Sequence, residues 1–407
     1  MTGLAARSSE FAQPTTSSDW ADWFFGAFLT RWIEQARDHR HGGYFDTLDA
    51  NGEPVADAPK TVLAQARLLY TFAHLAELSD DDRFRAAVAE ALAVLPRFRK
   101  PNGLYCRALT REGGASGEAG DGVARSYDQS FVILALSTWQ KISPSAATAA
   151  ELEACWSAIE ANLRDSLTGL LVEDDSVFAP AASDAPMRAQ NPHMHLYEAA
   201  LQAFETSGET RWLERAAALR EVALAHFFDP QSGTITEFLA PDLSVHPGKA
   251  GRRREIGHQC EWAWLLRREM TLGGKADLTG IVAALEGFAL GRGFAPSGPM
   301  EGAAFDAVSA DGEVMEASFL LWPQTEAIKM HATRHLAGEA EAADAGRHLM
   351  TLMFERYFRD RPIFVNQLDG EGGTLWPEAL SRLLYHIVLA LTEGARAGFW
   401  PGPTRHS

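Results

Sequence analysis

Helical segments recur in pairs along this chain, and this pairing constrains the fold more than any other feature of the sequence. Apolar residues repeat at i, i+3 and i+4 through about twelve segments, the spacing of one face of an α-helix. One member of a pair is amphipathic, as in "LSDDDRFRAAVAEALAVLPRF", and the other is apolar on all sides, as in "KTVLAQARLLYTFAHL". The first kind predicts an outer helix and the second an inner one.

The predicted inner helices carry polar residues at a regular interval of roughly 60 to 70 residues. These residues are Gln65, Gln129, His195, Gln259, Thr325 and Tyr385. Such regularity indicates a repeated αα-hairpin. Glycine-opened stretches with alternating apolar residues, such as "GGYFDTLDANGEP" and "NGLYCRALTREGG", lie between units and predict short β-hairpin connections.

Six helix pairs with long connections on one side predict an all-α protein, a closed (α/α)6 barrel of six inner and six outer helices. An open α-solenoid is the competing architecture. Closure is favoured because polar residues converge from all units and no terminal unit resembles a polar cap. We expect a flexible N-terminal segment over 1–18, a single barrel domain over 19–397 and a C-terminal tail over 398–407.

Composition argues against several classes of partner. Lys+Arg 37 against Asp+Glu 54 gives a net charge of −17, which disfavours nucleic acid and anionic membranes. No apolar run reaches membrane length, and the N-terminus lacks an apolar signal core. Cys106, Cys155 and Cys260 lie far apart without a C-x-x-C motif, so neither a disulfide framework nor a zinc knuckle is indicated. We predict a cytoplasmic protein.

Two inner helices carry a histidine three residues before a glutamate, in "NPHMHLYEAA" and "EIGHQCEWAW". His195 therefore shares a helix face with Glu198, and His258 with Glu261. A lone core histidine is usually only hydrogen-bonded, but the recurrence favours function because buried titratable groups are costly unless they pair or act. A metal site is disfavoured, since bundle di-iron sites use E-x-x-H and zincins use H-E-x-x-H.

Other polar and aromatic residues interrupt the apolar helices. Arg67 is either a structural ion-pair partner or an anchor for substrate oxygens. Core packing gives no reason for an imidazole at His386, which has apolar neighbours throughout "LLYHIVLA". Trp322 can stack on a sugar ring, although such a residue is more often core. The run "GRRRE" at 251–255 is either a solvated loop or an anion-recognition element.

Six motifs in order resemble the N-acylglucosamine 2-epimerase superfamily, which includes mannose isomerases, cellobiose 2-epimerases and related aldose–ketose isomerases. They span about residues 40 to 392 and are "QARLLYTFA", "SYDQSFVILAL", "NPHMHLYEA", "EIGHQCEWAWLL", "WPQTEAIK" and "LYH". The resemblance implies an (α/α)6 barrel that acts on a monosaccharide without a metal or cofactor. It leaves a homodimer open.

The resemblance also implies roles for individual residues. His258 and His386 would be the two acid–base histidines. The sugar pocket would be lined by Arg67, His195, Glu198 and Glu261, with Trp322 as an aromatic wall. Two residues depart from the family pattern and can alter the pocket: Ile256 replaces a common proline, and Cys260 replaces a larger residue.

These groups suit proton transfer through an enediolate. A neutral histidine can take the C2 proton of an open-chain aldose, while Arg67 stabilises the oxyanion. Glu261 would orient His258. Return of the proton to C1 gives a ketose, and delivery to the opposite face of C2 gives an epimer.

We predict an aldose–ketose isomerase for an unmodified hexose, interconverting D-mannose and D-fructose. One alternative is a 2-epimerase for mannose/glucose or for N-acylglucosamine/N-acylmannosamine. Others are a glycoside hydrolase, with Glu198 and Glu261 as opposed carboxylates, and a non-catalytic sugar-binding protein. The "GRRRE" arginines keep a phosphorylated or sulfonated sugar in consideration.

Overall fold

The computed structural model describes residues 14–404, and most of them are helical. Of the expected N-terminal segment 1–18, residues 1–13 lie outside the described part, and the first helix begins at Ser17. The α-helices are α1 (Ser17–Asp22), α2 (Leu29–Ala36), α3 (Val62–Ser79), α4 (Asp82–Val94), α5 (Ser126–Ile142), α6 (Ala146–Asn162), α7 (Asn191–Ser207), α8 (Thr210–Phe227), α9 (Lys249–Arg252), α10 (Ile256–Thr271), α11 (Thr279–Arg292), α12 (Leu321–Leu336), α13 (Ala340–Met353) and α14 (Leu384–Arg396).

Non-α turns extend several of these helices. A π-helical segment, Trp23–Phe28, joins α1 to α2, and another, Phe354–Phe358, extends α13. Short 3₁₀ segments, Leu95–Phe98 and Ser381–Leu383, follow α4 and precede α14. The second 3₁₀ segment sets the entry of the chain into the last inner helix.

Six helices form a closed inner ring: α3, α5, α7, α10, α12 and α14. Each packs against the next, and α14 returns to α3. The outer helices α4, α6, α8, α11 and α13 each pack on the inner helix of their own pair, and α2 covers α3 through Trp32 against Phe72. The contact of α14 with α3 confirms the predicted (α/α)6 barrel and excludes an open solenoid.

Short antiparallel strands gather at the end of the barrel where the inner helices begin. They are β1 (Thr47–Leu48), β2 (Lys60–Thr61), β3 (Ala108–Leu109), β4 (Arg188–Ala189), β5 (Phe228–Asp229), β6 (Thr234–Ile235), β7 (Phe238–Leu239), β8 (Arg253–Arg254), β9 (Ala307–Ser309), β10 (Val314–Glu316), β11 (Phe319–Leu320), β12 (Gln367–Leu368), β13 (Thr374–Trp376) and β14 (Ala379–Leu380).

The strands connect neighbouring units around the ring. The pairs β2–β3, β4–β7, β8–β9 and β11–β12 join consecutive loops, and β1 pairs with β14 to close the circle. Within single loops, β5–β6, β9–β10 and β12–β13 form the hairpins expected from the sequence. Because β2, β4, β8, β11 and β14 each lead into an inner helix, this pairing fixes where the inner helices start.

The regular polar residue of the inner helices is a structural clamp. Gln65 accepts a hydrogen bond from the Tyr44 backbone N–H at 3.0 Å and donates one to the Tyr44 carbonyl at 2.8 Å. Three glutamines clamp the loop before their own helix in the same way: Gln129 at Tyr105, Gln259 at Ile235 and Gln324 at Ala304. The repeated glutamines therefore stabilise the fold and do not take part in chemistry.

Three predicted members of this repeat, His195, Thr325 and Tyr385, are not clamps, and the Tyr385 hydroxyl donates to Glu198 instead. In α7 the clamp is His193, whose Nε2 accepts from the Leu171 backbone N–H at 2.8 Å, and in α12 it is Gln324 rather than Thr325. Residues two apart on a helix face different directions. His195 is therefore free to face the inside of the barrel.

The described part of the C-terminal tail packs on the barrel. Phe399 and Trp400 are buried, and the Trp400 ring stacks on Phe354 with centroids 5.8 Å apart. Among the helices of residues 14–404, none combines the length and the apolar character needed to cross a membrane.

Candidate active site

A cavity of about 660 Å³ opens where the inner helices begin. Its wall contains most of the residues predicted from the sequence: Arg67, His195, His258, Glu261, Trp322 and His386. A second cavity of about 990 Å³ lies where the inner helices end, and its one histidine, His74, is already hydrogen-bonded to Thr392. The first cavity is therefore the candidate active site.

His258 lies in the first turn of α10, with its Nδ1 held by carboxylates. The Nδ1 atom is 2.8 Å from Glu237 Oε2 and 3.5 Å from Glu255 Oε2. Burial lowers the pKa of the imidazole, but these two carboxylates outweigh burial and raise the pKa of His258 to about 9. His258 is therefore an imidazolium at neutral pH, and its Nε2 has no hydrogen-bond partner among residues 14–404.

Glu237, which sequence reasoning missed, is fixed from behind. It lies between β6 and β7, accepts from Gln190 Nε2 at 3.0 Å, and accepts from the Glu255 backbone N–H at 3.0 Å. Burial opposes its ionisation, yet the charge of His258 and these donors lower the pKa of Glu237. The carboxylate thus orients the His258 ring and supports its charge.

His386 lies near the start of α14 and has the opposite electrostatic setting. Its Nδ1 is 2.7 Å from Glu326 Oε1. Burial holds the pKa of His386 well below its usual value, and the positive charges of Arg67 and Lys329 lower it further. His386 is therefore neutral, with Nε2 unprotonated if Nδ1–H donates to the carboxylate.

Trp322 lies between the two histidines. Its ring centroid is 4.9 Å from that of His258 and 6.0 Å from that of His386. The indole approaches α10 at Gly257, where an added Cβ would lie 2.3 Å from Trp322 Cζ3. Glycine before His258 therefore makes room for the aromatic wall.

His195 and Glu198 pair as the sequence predicts. His195 Nδ1 is 3.0 Å from Glu198 Oε2, and the other carboxylate oxygen accepts from the Tyr385 hydroxyl. Burial opposes the charge of Glu198, but His195 lowers the pKa of Glu198 to about 2. Glu198 lies behind His195 and does not line the cavity, so its expected place in the sugar pocket is corrected to one of support.

The prediction that Glu261 orients His258 is wrong, because Glu237 occupies that position. Glu261 Oε1 instead lies 3.6 Å from Lys329 Nζ and 4.0 Å from His195 Nδ1. Neither of its oxygens accepts a hydrogen bond from any residue of the described chain. Glu261 lines the cavity, so this buried carboxylate is available to a ligand hydroxyl.

Behind these groups lies a buried ion pair absent from the sequence prediction. Lys329 Nζ is 2.5 Å from Glu326 Oε2 and 3.9 Å from the Trp264 ring centroid. Burial lowers the pKa of Lys329, but Glu326 and Glu261 outweigh it and raise that pKa, so the ammonium stays charged. Burial and the charge of Glu261 raise the pKa of Glu326 well above its usual value, and Lys329 opposes this shift beneath His386.

Arg67 is held among aromatic rings and hydroxyls. Its Nη2 donates to the Tyr127 hydroxyl at 2.7 Å, and its Cζ lies 4.0 Å from the Phe131 ring centroid. Within residues 14–404 it has no carboxylate partner, and its buried Nε donates to no acceptor. The structural ion-pair alternative is therefore wrong, and Arg67 is left to bind a ligand oxygen.

Two unsatisfied amides add to the wall. Asn366 is 2% exposed, and its Nδ2 has no hydrogen-bond partner in the described part of the chain. Asn191 is the first residue of α7 rather than its N-cap, which is Gln190, and its Oδ1 is likewise unpaired there. Both line the cavity, where a ligand can satisfy them.

The "GRRRE" arginines do not contribute to this cavity. Arg253 pairs with Glu255 and Glu316, and Arg254 donates to Thr234 Oγ1 at 2.7 Å. Arg252, Arg253 and Arg254 are all absent from the cavity wall. The charged run serves the strand pairing around β8.

Three groups of side chains in the described chain have potential ligand atoms within 4.8 Å of one another. They are His195, Glu198 and Glu261; Glu237, Glu255 and His258; and Glu261, Glu326 and His386. In each group a carboxylate already takes the Nδ1 atom of the histidine. The expectation of a metal-free site stays a prediction.

The same barrel fold occurs in solved structures of sugar epimerases and isomerases and also in glycoside hydrolases. The sequence pattern of the family described as N-acylglucosamine 2-epimerase (GlcNAc 2-epimerase) matches residues 43–390, and this chain belongs to that family.

Several known proteins are similar over much of their length. A mannose-6-phosphate isomerase of Rhizobium meliloti (strain 1021) is 30% identical over 389 residues, covering 92% of this chain and 95% of the relative. A D-mannose isomerase of Thermobifida fusca is 28% identical over 248 residues, 57% of each chain. The structure of cellobiose 2-epimerase from Spirochaeta thermophila DSM 6192 superposes with a TM-score of 0.81 at 21% identity, covering 94% of this chain and 96% of that one.

Proposed function

We propose that this enzyme is an aldose–ketose isomerase that interconverts a mannose-configured aldose and the corresponding fructose-configured ketose, with D-mannose and D-fructose as the parent pair. The observation that carries the proposal is geometric: two histidines, each held at Nδ1 by a carboxylate, line one cavity on either side of Trp322. His386 is neutral and His258 is charged, so one is a base and the other an acid at the same pH.

In the first half-reaction His386 Nε2 takes the proton from C2 of the open-chain aldose. The C–H electron pair forms the C1–C2 double bond, and the carbonyl π pair moves to O1. His258 donates its Nε2 proton to O1, which gives a cis-enediol. Arg67 stabilises negative charge on oxygen during this step.

In the second half-reaction the same groups act in reverse. His258, now neutral, takes the proton of the C2 hydroxyl as the C2 carbonyl forms. The double-bond electrons take up the proton held by His386 at C1, which yields the ketose and restores both histidines. Glu237 and Glu326 hold the two rings in orientation throughout.

The relatives support a mannose-type substrate. The relative that aligns with this chain over 95% of its own length is named mannose-6-phosphate isomerase. The relative from Thermobifida fusca is named D-mannose isomerase. The cavity volume of about 660 Å³ is ample for a hexose and falls in the ordinary range for small-molecule sites.

The proposal includes a cytoplasmic location and no cofactor. The cysteines of the chain, Cys106, Cys155 and Cys260, are free and buried, which suits a reducing compartment. The proposed proton transfers involve no redox step, and each uses a side chain described above.

Chromatographic analysis of products from D-mannose tests the proposal. The expected product is fructose, formed until an aldose–ketose equilibrium is reached. Glucose as the first product would show that the enzyme is a 2-epimerase, in which an acid on the opposite face returns a proton to C2. Absence of any new sugar, from mannose or from mannose 6-phosphate, would overturn both.

A further inference from the structure

Arg382 is a cation of the cavity wall for which the described chain offers no counter-ion. It lies half-buried in the 3₁₀ segment before α14, and its guanidinium makes no hydrogen bond or ion pair with residues 14–404. Apart from Arg67, the other arginines of this wall are paired: Arg107 Nη1 is 2.6 Å from Asp121 Oδ1, and Arg125 Nη2 is 2.9 Å from Glu173 Oε1.

Hydrogen bonds of the preceding residue fix the backbone at Arg382. The neighbouring Ser381 donates its backbone N–H to the Asp46 carbonyl at 2.9 Å and its hydroxyl to the Phe45 carbonyl at 2.5 Å. Arg67 Nη1 lies 3.5 Å from the backbone carbonyl of Arg382, so the Arg67 guanidinium lies close to this segment. An unpaired guanidinium in a cavity wall is available to an anion, because its planar set of N–H donors matches anionic oxygens.

Asp46 and Asp128, the two acids whose charges act on Arg382, are poor counter-ions for it. Burial lowers the pKa of Arg382, and the charge of Arg67 lowers it further, while Asp46 and Asp128 oppose this shift. Burial, however, raises the pKa of Asp46 to about 7 and that of Asp128 to about 6, so negative charge on each is itself disfavoured. Repulsion between Arg67 and Arg382 is therefore left for a ligand to relieve.

We infer that Arg382 binds an anionic substituent of the sugar, and that the preferred substrate is a hexose phosphate ester. This inference rests on the proposed function and adds the substrate class. Arg67 serves the oxyanion at C1–C2 in the proposed reaction, which leaves Arg382 for an anionic group elsewhere on the sugar. Phosphate offers several acceptor oxygens to the planar N–H donors of arginine. Free phosphate shares this chemistry, and the test separates the two sources.

The test compares D-mannose with D-mannose 6-phosphate on the wild type and on two variants. Arg382→Gln removes the cation, and Arg396→Gln, in an exposed ion pair with Glu393 at the far end of α14, is the matched control. We expect the wild-type kcat/KM to be at least about tenfold higher for the phosphate ester. We expect Arg382→Gln to lose about 10- to 100-fold with the ester and less than about threefold with mannose, and Arg396→Gln to change neither.

Calorimetric titration with each sugar and with inorganic phosphate completes the test. Tighter binding of the ester than of mannose, lost in Arg382→Gln, supports the inference. Equal affinity for both sugars, an equal loss with both sugars in Arg382→Gln, or binding of inorganic phosphate without preference for the ester overturns it. If mannose is isomerised and the ester is not preferred, the proposed function stands alone. If the ester binds through Arg382 but neither sugar is converted, the proposed function fails instead.

Discussion

The Nδ1 atom of His258 lies 2.8 Å from Oε2 of Glu237, a carboxylate of the loop between β6 and β7. This contact couples a strand-lined loop to an inner helix and determines the charge of the proposed acid. Its counterpart is the 2.7 Å contact of His386 with Glu326, where burial and nearby cations lower the pKa of the ring and favour its neutral form. The proposed proton transfer depends on this difference between two similar histidine–carboxylate pairs.

Removal of the Glu237 charge is expected to shift the pH profile. Carboxylates raise the pKa of His258 to about 9, so the acid is present below that pH and is lost as pH rises through it. In Glu237→Gln the pKa falls, and the alkaline limb of kcat moves to lower pH. Glu255→Gln, whose carboxylate is farther away at 3.5 Å, is expected to shift the limb less. An alkaline limb that stays fixed in both variants would remove His258 from the acid role.

Substitution of either histidine is expected to abolish most turnover. His258→Gln and His386→Gln each remove one proton-transfer group, and kcat should fall by about 10²- to 10⁴-fold. The double variant should lose little more than the worse single one, because the two groups act as a unit. Cooperative thermal melting serves as the control for folding. Retention of most of the kcat in a single variant would refute the role of that histidine.

Glycine at position 257 is expected to be required for the aromatic wall. In Gly257→Ala the new Cβ would lie 2.3 Å from Trp322, so the indole must move away from His258. We expect kcat/KM to drop by at least about tenfold, the effect of misplacing a positioning group. Gly280→Ala is the matched control, since a Cβ there meets no atom within 4 Å. Equal activity in the two variants would show that Trp322 does not position the substrate.

Lys329 is expected to contribute to stability as well as to the charge of the site. It is fully buried, with Nζ 2.5 Å from Glu326, so Lys329→Met leaves buried carboxylates without their cation. Removal of one partner of such a pair costs about 3–5 kcal/mol in the free energy of unfolding. Urea denaturation measures this loss, and the double variant Lys329→Met/Glu326→Gln should recover part of it. Arg85→Met, from the exposed pair with Asp80, should cost less than about 1 kcal/mol; a similar small loss for Lys329→Met would contradict the account.

Metal removal is expected to leave activity unchanged. Although three groups of side chains have ligand-like spacing, their histidines already share Nδ1 with carboxylates, and the proposed steps use those histidines as acid and base. Dialysis against EDTA followed by assay tests this. Loss of activity that a divalent cation restores would require a different mechanism.

The sequence predicted the barrel because helix pairing and apolar periodicity are local properties. The inner-helix pattern also predicted a shared site for His258, His386, Arg67 and Trp322, and all four line one cavity. It did not find Glu237, because a carboxylate in a loop meets His258 only after the strands pair. The sequence reasoning also missed the ion pair of Lys329 with Glu326, although the two residues are three apart on one helix face, in "TEAIK".

Hydrogen exchange at the substrate carbon tests the central claim most directly. The enzyme, in D2O with D-mannose and in parallel with D-mannose 6-phosphate, is followed by proton NMR. The account predicts that the C2 hydrogen signal is lost as ketose forms with deuterium or transferred hydrogen at C1, and that His386→Gln stops both changes. Retention of the C2 hydrogen with wild-type enzyme, in both sugars, would contradict proton transfer between the two histidines.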